Sequence, residues 1–307
     1  MRLEDDPLRQ LTLDEAKRFH YLYERASADL ARIATFSAEP EIRRYLEALV
    51  ARAYSEIHET RQRPHRLAPL RWFFVIFPQT FRRHTNAFWL ATAIMLAGSF
   101  FGGLALTLDP EAKAALMPFD ELRGDPRDRV AREERATHDQ LEGGKATFSS
   151  FLMTHNTRVS IFTLALGITW GIGTAITLFY NGVLLGAVAL DYALAGQTQF
   201  LVGWLLPHGA VEIPAILIAG QAGLVLGRSL IGWGDRTVLP QRLRAVAADL
   251  MTLVFGVALL LVWAGLVESF LSQYHEPALP YSVKIAFGIV ELGLLACYLT
   301  KSGAKAS

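Results

Sequence analysis

Long stretches almost free of charge alternate with charge-rich blocks along the chain, and this pattern predicts helices that cross a membrane. The first such stretch, Ala87 to Leu108, has 22 residues without an ionisable side chain. At about 1.5 Å rise per residue it reaches roughly 33 Å, enough for a bilayer core of about 30 Å. Apolar stretches at residues 159–179, 183–206, 209–231, 250–271 and 282–300 bring the expected count to about six. The third is the least regular, because Asp191 and the run Gly196-Gln197-Thr198-Gln199 interrupt it. Asn181-Gly182 reads as a tight turn closing the second span, and Pro207 and Pro214 read as a break between the third and fourth.

The rest of the pattern predicts helices outside the membrane. Residues 1–70 form a helical domain. Its first helix begins with Thr12 and Glu15 spaced as a capping box, and its second begins at Pro40. The two are expected to pack as an antiparallel hairpin. Residues 71–86 hold the aromatic run Arg71 to Pro78 flanked by arginines, too short to span and suited to the interface. Residues 109–150 form a polar, extracytoplasmic helical insertion, with Asp125-Pro126 as a helix start and Gly143-Gly144 as a stop. The transmembrane domain covers 87–300, and 301–307 is a short tail. The fold class is therefore all-α: a polytopic membrane helix bundle with an N-terminal hairpin.

Composition agrees, with 52% hydrophobic residues and 19% charged. The net charge of +1 argues against a nucleic-acid partner, which calls for a basic excess. Arg61, Arg63, Arg66, Arg71, Arg82 and Arg83 precede the first span, Arg228, Arg236, Arg242 and Arg244 follow the fourth, and Lys301 and Lys305 follow the sixth. With six spans all three groups fall on one side, which the positive-inside rule makes cytoplasmic together with both termini. The N-terminus lacks a basic segment followed by an apolar one, so no cleavable signal peptide is expected. Cys297 is the single cysteine, which rules out an internal disulfide and any site of two thiolates.

Candidate chemistry gathers where ionisable residues fall inside apolar stretches, where they are costly. His208 and Glu212 stand one helical turn apart and could form a proton relay, an ion site or a hydrogen-bonded pair fixing a helix end. Asp191, Glu268 and Glu291 must face the bundle interior, a cavity or headgroups, with Arg228 or Lys284 as neutralising partners or snorkelling ends. Asn156 and Arg158 stand at the start of the second span. The pairs Gly98/Gly102, Gly167/Gly171, Gly182/Gly186 and Gly223/Gly227, with Gly220, allow close helix approach, either within one bundle or between copies, so a homo-oligomer stays open. No metal site and no cofactor is expected, because too few ligands converge. No nucleophile elbow, phosphate-binding loop or His-Glu-x-x-His occurs, so the chain is expected not to be an enzyme.

The ordered motifs Asn156-Thr-Arg158-Val, Asn181-Gly182-x-x-x-Gly186-Ala, Pro207-His208-Gly209-x-x-Glu212, Ile218-Ala-Gly220-x-Ala-Gly223-Leu-x-Leu-Gly227 and Glu268-x-Phe270 resemble the stage II sporulation protein M family. The resemblance covers nearly the whole chain, including Tyr45 to Ala53 and Phe77 to Arg83. It implies a membrane protein of bacteria or archaea which, in spore formers, resembles a scaffold for peptidoglycan-remodelling hydrolases. Many members belong to organisms that form no spores, and the excess of 24 Arg over six Lys fits such a source. The leading expectation is a membrane scaffold or assembly factor with membrane or cell-envelope protein partners. The alternative is a transporter or channel with its site near His208 and Glu212.

Overall fold

The computed structural model describes residues 12–35, 40–58, 68–109, 111–117, 120–135, 145–272 and 279–303. Among these residues there is no strand, and the chain divides into two compact units, Met1–Leu67 and Ala68–Ser307.

The first unit is a pair of helices, α1 (Leu13–Thr35) and α2 (Pro40–His58), in contact with each other. The capping box forms: the Thr12 backbone N–H donates to Glu15 Oε2 at 2.9 Å, and the Glu15 N–H donates to Thr12 Oγ1 at 3.4 Å. No side chain described in either helix is buried. A two-helix hairpin has too little apolar surface to close a core on its own.

The second unit begins with α3 (Pro69–Arg71), a π-helical turn Trp72–Ile76 and α4 (Phe77–Arg83). Then come α5 (Thr85–Leu108) and the short insertion helices α6 (Ala112–Leu116), α7 (Asp120–Arg123) and α8 (Pro126–Arg135). The bundle continues with α9 (Lys145–Ala165), a 3₁₀ turn Leu166–Ile168, α10 (Ile172–Leu194) and α11 (Thr198–Ile231). It closes with α12 (Leu239–Val267), a π-helical turn Glu268–Ser272 and α13 (Tyr281–Lys301). The proposed helix stop at Gly143-Gly144 lies outside the described residues.

Among the described residues, five helices are long and apolar enough to cross a membrane: α5, α10, α11, α12 with its π-turn, and α13. Their outer faces carry exposed large apolar side chains, among them Leu96, Phe100, Ile176, Phe255, Leu259 and Leu294. An apolar belt of this extent belongs in lipid rather than water. The chain is a polytopic membrane protein. Cys297 lies exposed on α13. The sixth long helix, α9, runs beside α10 and α11. Helix α11 is the axis of the bundle, with most of its apolar length buried. Phe77 and Phe81 of α4, Leu253 and Leu260 of α12 and Leu295 and Leu299 of α13 pack with its Val211, Ala215 and Ile218 in the main core. The aromatic segment expected at the interface thus places two of its rings inside the bundle.

Three expected spans are corrected at the two boundaries between them. The stretches 159–179, 183–206 and 209–231 are cut differently, as α9, α10 and α11. The first turn lies at Thr169-Trp170-Gly171, where Trp170 and Gly171 adopt φ of 56° and 81°. Thr169 Oγ1 accepts from the Gly173 N–H at 2.8 Å, satisfying an early amide of α10. The second turn lies at Ala195-Gly196-Gln197, with Gly196 at φ 75°. Asn181-Gly182 and Pro207 to Pro214 are helical throughout. Each proline frees only the carbonyl four residues before it, and in an apolar setting the remaining backbone bonds hold the helix together.

Gly182 is needed for approach rather than for turning. Helices α5 and α10 run parallel, and a Cβ on Gly98, Gly102, Gly182 or Gly186 would collide with the backbone of the facing helix, at Phe179, Val183, Met95 and Ser99 respectively. Gly167 likewise meets Gly223, and Gly171 meets Gly227, so the inner end of α9 and the following turn are pressed onto α11. The leucine side chain of Leu178 covers Gly220.

Candidate functional site

Phe200, Trp204, His208 and Glu212 follow one another at four-residue spacing and therefore share one face of α11. That face looks toward α13, the insertion and the turn after α12. His208 and Glu212 are 3% and 5% exposed, with Nε2 and Oε2 4.0 Å apart. Asn156 of α9 hydrogen-bonds the Glu212 side chain, and Glu268, buried at the start of the π-turn, faces the same carboxyl. The indole of Trp204 stands edge-on to the His208 ring, centroids 6.0 Å apart.

The insertion completes the arrangement. Arg129 of α8, 4% exposed, holds its guanidinium 4.6 Å from the Trp204 ring centroid. It donates from Nη1 to the Tyr192 hydroxyl at 2.9 Å and from Nε to Glu133 Oε1 at 2.8 Å. The Tyr281 hydroxyl donates to Glu134 Oε1 at 3.0 Å. Lys284 of α13 is fully buried, within the field of His208 and Glu133 and 6.0 Å from the Tyr281 ring centroid. Met117, Leu122 and Val130 of the insertion pack with Tyr192, Phe200 and Trp204 beside these polar groups. A line of charged and polar groups therefore enters the bundle from the insertion and ends at two buried carboxyls. Groups of this kind are expensive in an apolar interior unless each finds a partner, which makes this line the candidate site of the bundle.

Of the residues singled out in the sequence, His208, Glu212, Asn156 and Glu268 come together here. The others do not. Arg158 is exposed on α9, and with Asn156 it lies well inside that helix rather than at its start. Asn181 donates from Nδ2 to the Thr177 carbonyl at 3.3 Å on α10. Asp191 pairs with Lys113 at 2.6 Å, joining α10 to the insertion. Glu291 accepts from the Trp263 Nε1–H between α13 and α12. Arg228 is exposed, so it is not a buried counter-ion. Among the described residues no group of three His, Cys, Asp or Glu could hold a metal ion. Sequence reasoning missed Arg129, Tyr192, Trp204 and Tyr281. The four-residue spacing from Trp204 to Glu212 was a readable signal, whereas no local pattern marks Arg129 as buried.

The stage II sporulation protein M family matches residues 91–273, more than half of the chain. The chain belongs to the stage II sporulation protein M family. The match takes in α9, α10 and α11 whole, with the His208–Glu212 face, and runs to just past Glu268. Residues 2–59 of this family member match a separate domain of unknown function, DUF8413, which corresponds to the α1–α2 unit. An uncharacterized protein of Methanocaldococcus jannaschii is 36% identical over 73 residues, 24% of this chain. The aligned part spans 41% of that relative's length. No solved structure matches.

Proposed function

We propose that the chain is a membrane scaffold or assembly factor rather than an enzyme. The bundle serves as its anchor, and the α1–α2 hairpin serves as the surface offered to membrane or cell-envelope proteins. The observation that carries this reading is the groove between α1 and α2, about 760 Å³, lined by Phe19, Leu22, Tyr23, Leu46 and Leu49 and edged by Arg18, Arg25 and Asp29. An apolar groove with a charged rim of both signs, on a hairpin that buries none of its described side chains, suits an amphipathic helix of a partner.

The positive-inside rule supports a multi-pass arrangement in the cell (inner) membrane with both termini cytoplasmic. Arg82, Leu299 and Ser302 meet at one end of the bundle, and Arg83 reaches Asp249, three turns into α12. The insertion contacts the opposite ends of α5 and α10.

Crosslinking and co-purification from native membranes tests the scaffold. Wild type is expected to recover a specific set of proteins that is lost with Leu22→Glu plus Leu46→Glu. Recovery of the same set by both, or of none by wild type, refutes it.

A further inference from the structure

Many serine and threonine hydroxyls in the long helices of this protein follow one habit. Thr92, Ser99, Thr177, Ser229, Thr252 and Ser269 each donate to the carbonyl four residues earlier, the usual way for a hydroxyl to be satisfied inside an apolar helix. Ser160 and Thr163 of α9 break the habit. They are 2% and 0% exposed, and neither hydroxyl has a hydrogen-bond partner.

Their position explains why this matters. Asn156, Ser160, Thr163 and Gly167 are spaced by four, three and four residues, so they form one stripe along α9 and the 3₁₀ turn that follows it. The two ends of the stripe touch α11, because Asn156 bonds Glu212 and Gly167 meets Gly223. The hydroxyls therefore lie in the α9–α11 seam on the far side of Glu212 from the insertion. On the near side lie His208, Lys284, Glu133, Glu134 and Arg129. The two carboxyls of Glu212 and Glu268 stand between the two sets. Groups strung along a helix a turn apart cannot close around one cation, but they are spaced as water-bridged donors and acceptors are.

We propose that the α9–α11 seam is a proton path, with the Glu212–Glu268 pair as its central relay. A proton arrives from the aqueous phase at the insertion through the His208 and Glu133/Lys284 groups and adds to a carboxylate oxygen of the pair. It leaves to water held by Ser160 and Thr163, so the carboxylate is restored and nothing is consumed. Beyond Thr163 the two helices close up, where Gly167 meets the Gly223 backbone. This path is independent of the scaffold reading, which rests on the hairpin.

The test uses the full chain in proteoliposomes carrying a lumenal pH dye, with proton uptake driven by a potassium gradient and valinomycin. Wild type is expected to acidify the lumen several-fold faster than protein-free vesicles, and Glu212→Gln to fall to the protein-free rate. Ser160→Ala plus Thr163→Ala is expected to fall several-fold while its thermal midpoint holds, since neither hydroxyl bonds another group of the protein. Thr92→Ala, whose hydroxyl bonds its own helix, is expected to keep the wild-type rate. A wild-type rate equal to that of protein-free vesicles overturns the proposal. So does full activity in Glu212→Gln, or in the double alanine variant.

Discussion

The guanidinium of Arg129 lies 4.6 Å from the ring centroid of Trp204, joining a helix of the insertion to the central helix of the bundle. The contact is more than a charge over a ring, because the same side chain donates to Tyr192 and Glu133. A planar fork of donors reaches both at once while its face stacks on the indole, which an ammonium cannot do. Arg129→Lys is therefore expected to cost about 2 kcal/mol, the scale of hydrogen bonds to a charged group. Arg129→Ala should also release the insertion. Limited proteolysis between α6 and α8 in detergent micelles measures this, with faster cleavage in both variants; unchanged cleavage would show that the insertion docks through its apolar residues alone.

Glycines in this bundle differ sharply in what they tolerate. Gly186 faces the Ser99 backbone on α5, whereas Gly293 on α13 has nothing near its Cβ position. Gly186→Ala is expected to lose about 1–3 kcal/mol through overpacking. Gly293→Ala should gain about 0.5–1 kcal/mol through helix propensity. Thermal unfolding of the two variants in one detergent reads opposite shifts, and a common direction would contradict the packing.

Asp235, fully exposed in the turn before α12, has its carboxyl held below the usual aspartate range by hydrogen bonds from the backbone and side chain of Thr237. A depressed folded-state value means that the ionised form stabilises the turn above the unfolded aspartate value, near 4. That contribution fades as pH falls through the lower, folded value. The fluorescence of Trp233, which is 87% exposed in the same turn, should change on acidification below about pH 4 in wild type and not in Asp235→Asn.

Side-selective labelling resolves the orientation. In a Cys297→Ser background, Arg236→Cys is expected to react only from the cytoplasmic side and Arg132→Cys only from the other. Labelling of both from one side would break the alternation of the helices through the membrane.

The sequence reported some of this architecture directly and some not at all. The capping box at Thr12 and Glu15, and the uninterrupted run ending at Leu108, are local signals that the structure keeps. The Thr169–Gly171 turn is invisible in hydropathy, because its three uncharged residues lie inside a long charge-free stretch and the turn depends on φ above zero at Trp170 and Gly171. Asn181-Gly182 and Pro207 misled for the opposite reason, since residues that usually turn a chain here serve contact with a neighbouring helix or sit harmlessly within one. His208 and Glu212 announced themselves as charges in an apolar stretch. Arg129 and Lys284 could not announce their burial, which depends on partners brought from far along the chain.

The clasp at the arginine-bearing end has a consequence for the order of synthesis. Arg82 donates to the Leu299 and Ser302 carbonyls, Gln79 to Gly303, and Tyr298 to Phe73. Phe77 rests against Gly256 and near Tyr298. Tyr298, Leu299, Ser302 and Gly303 emerge from the ribosome some two hundred residues after α4, so this end of the bundle stays unclasped until the last helix is made. The earliest part of the bundle is the last to be finished, and a chain stopped before α13 would leave the membrane machinery holding an open aromatic edge.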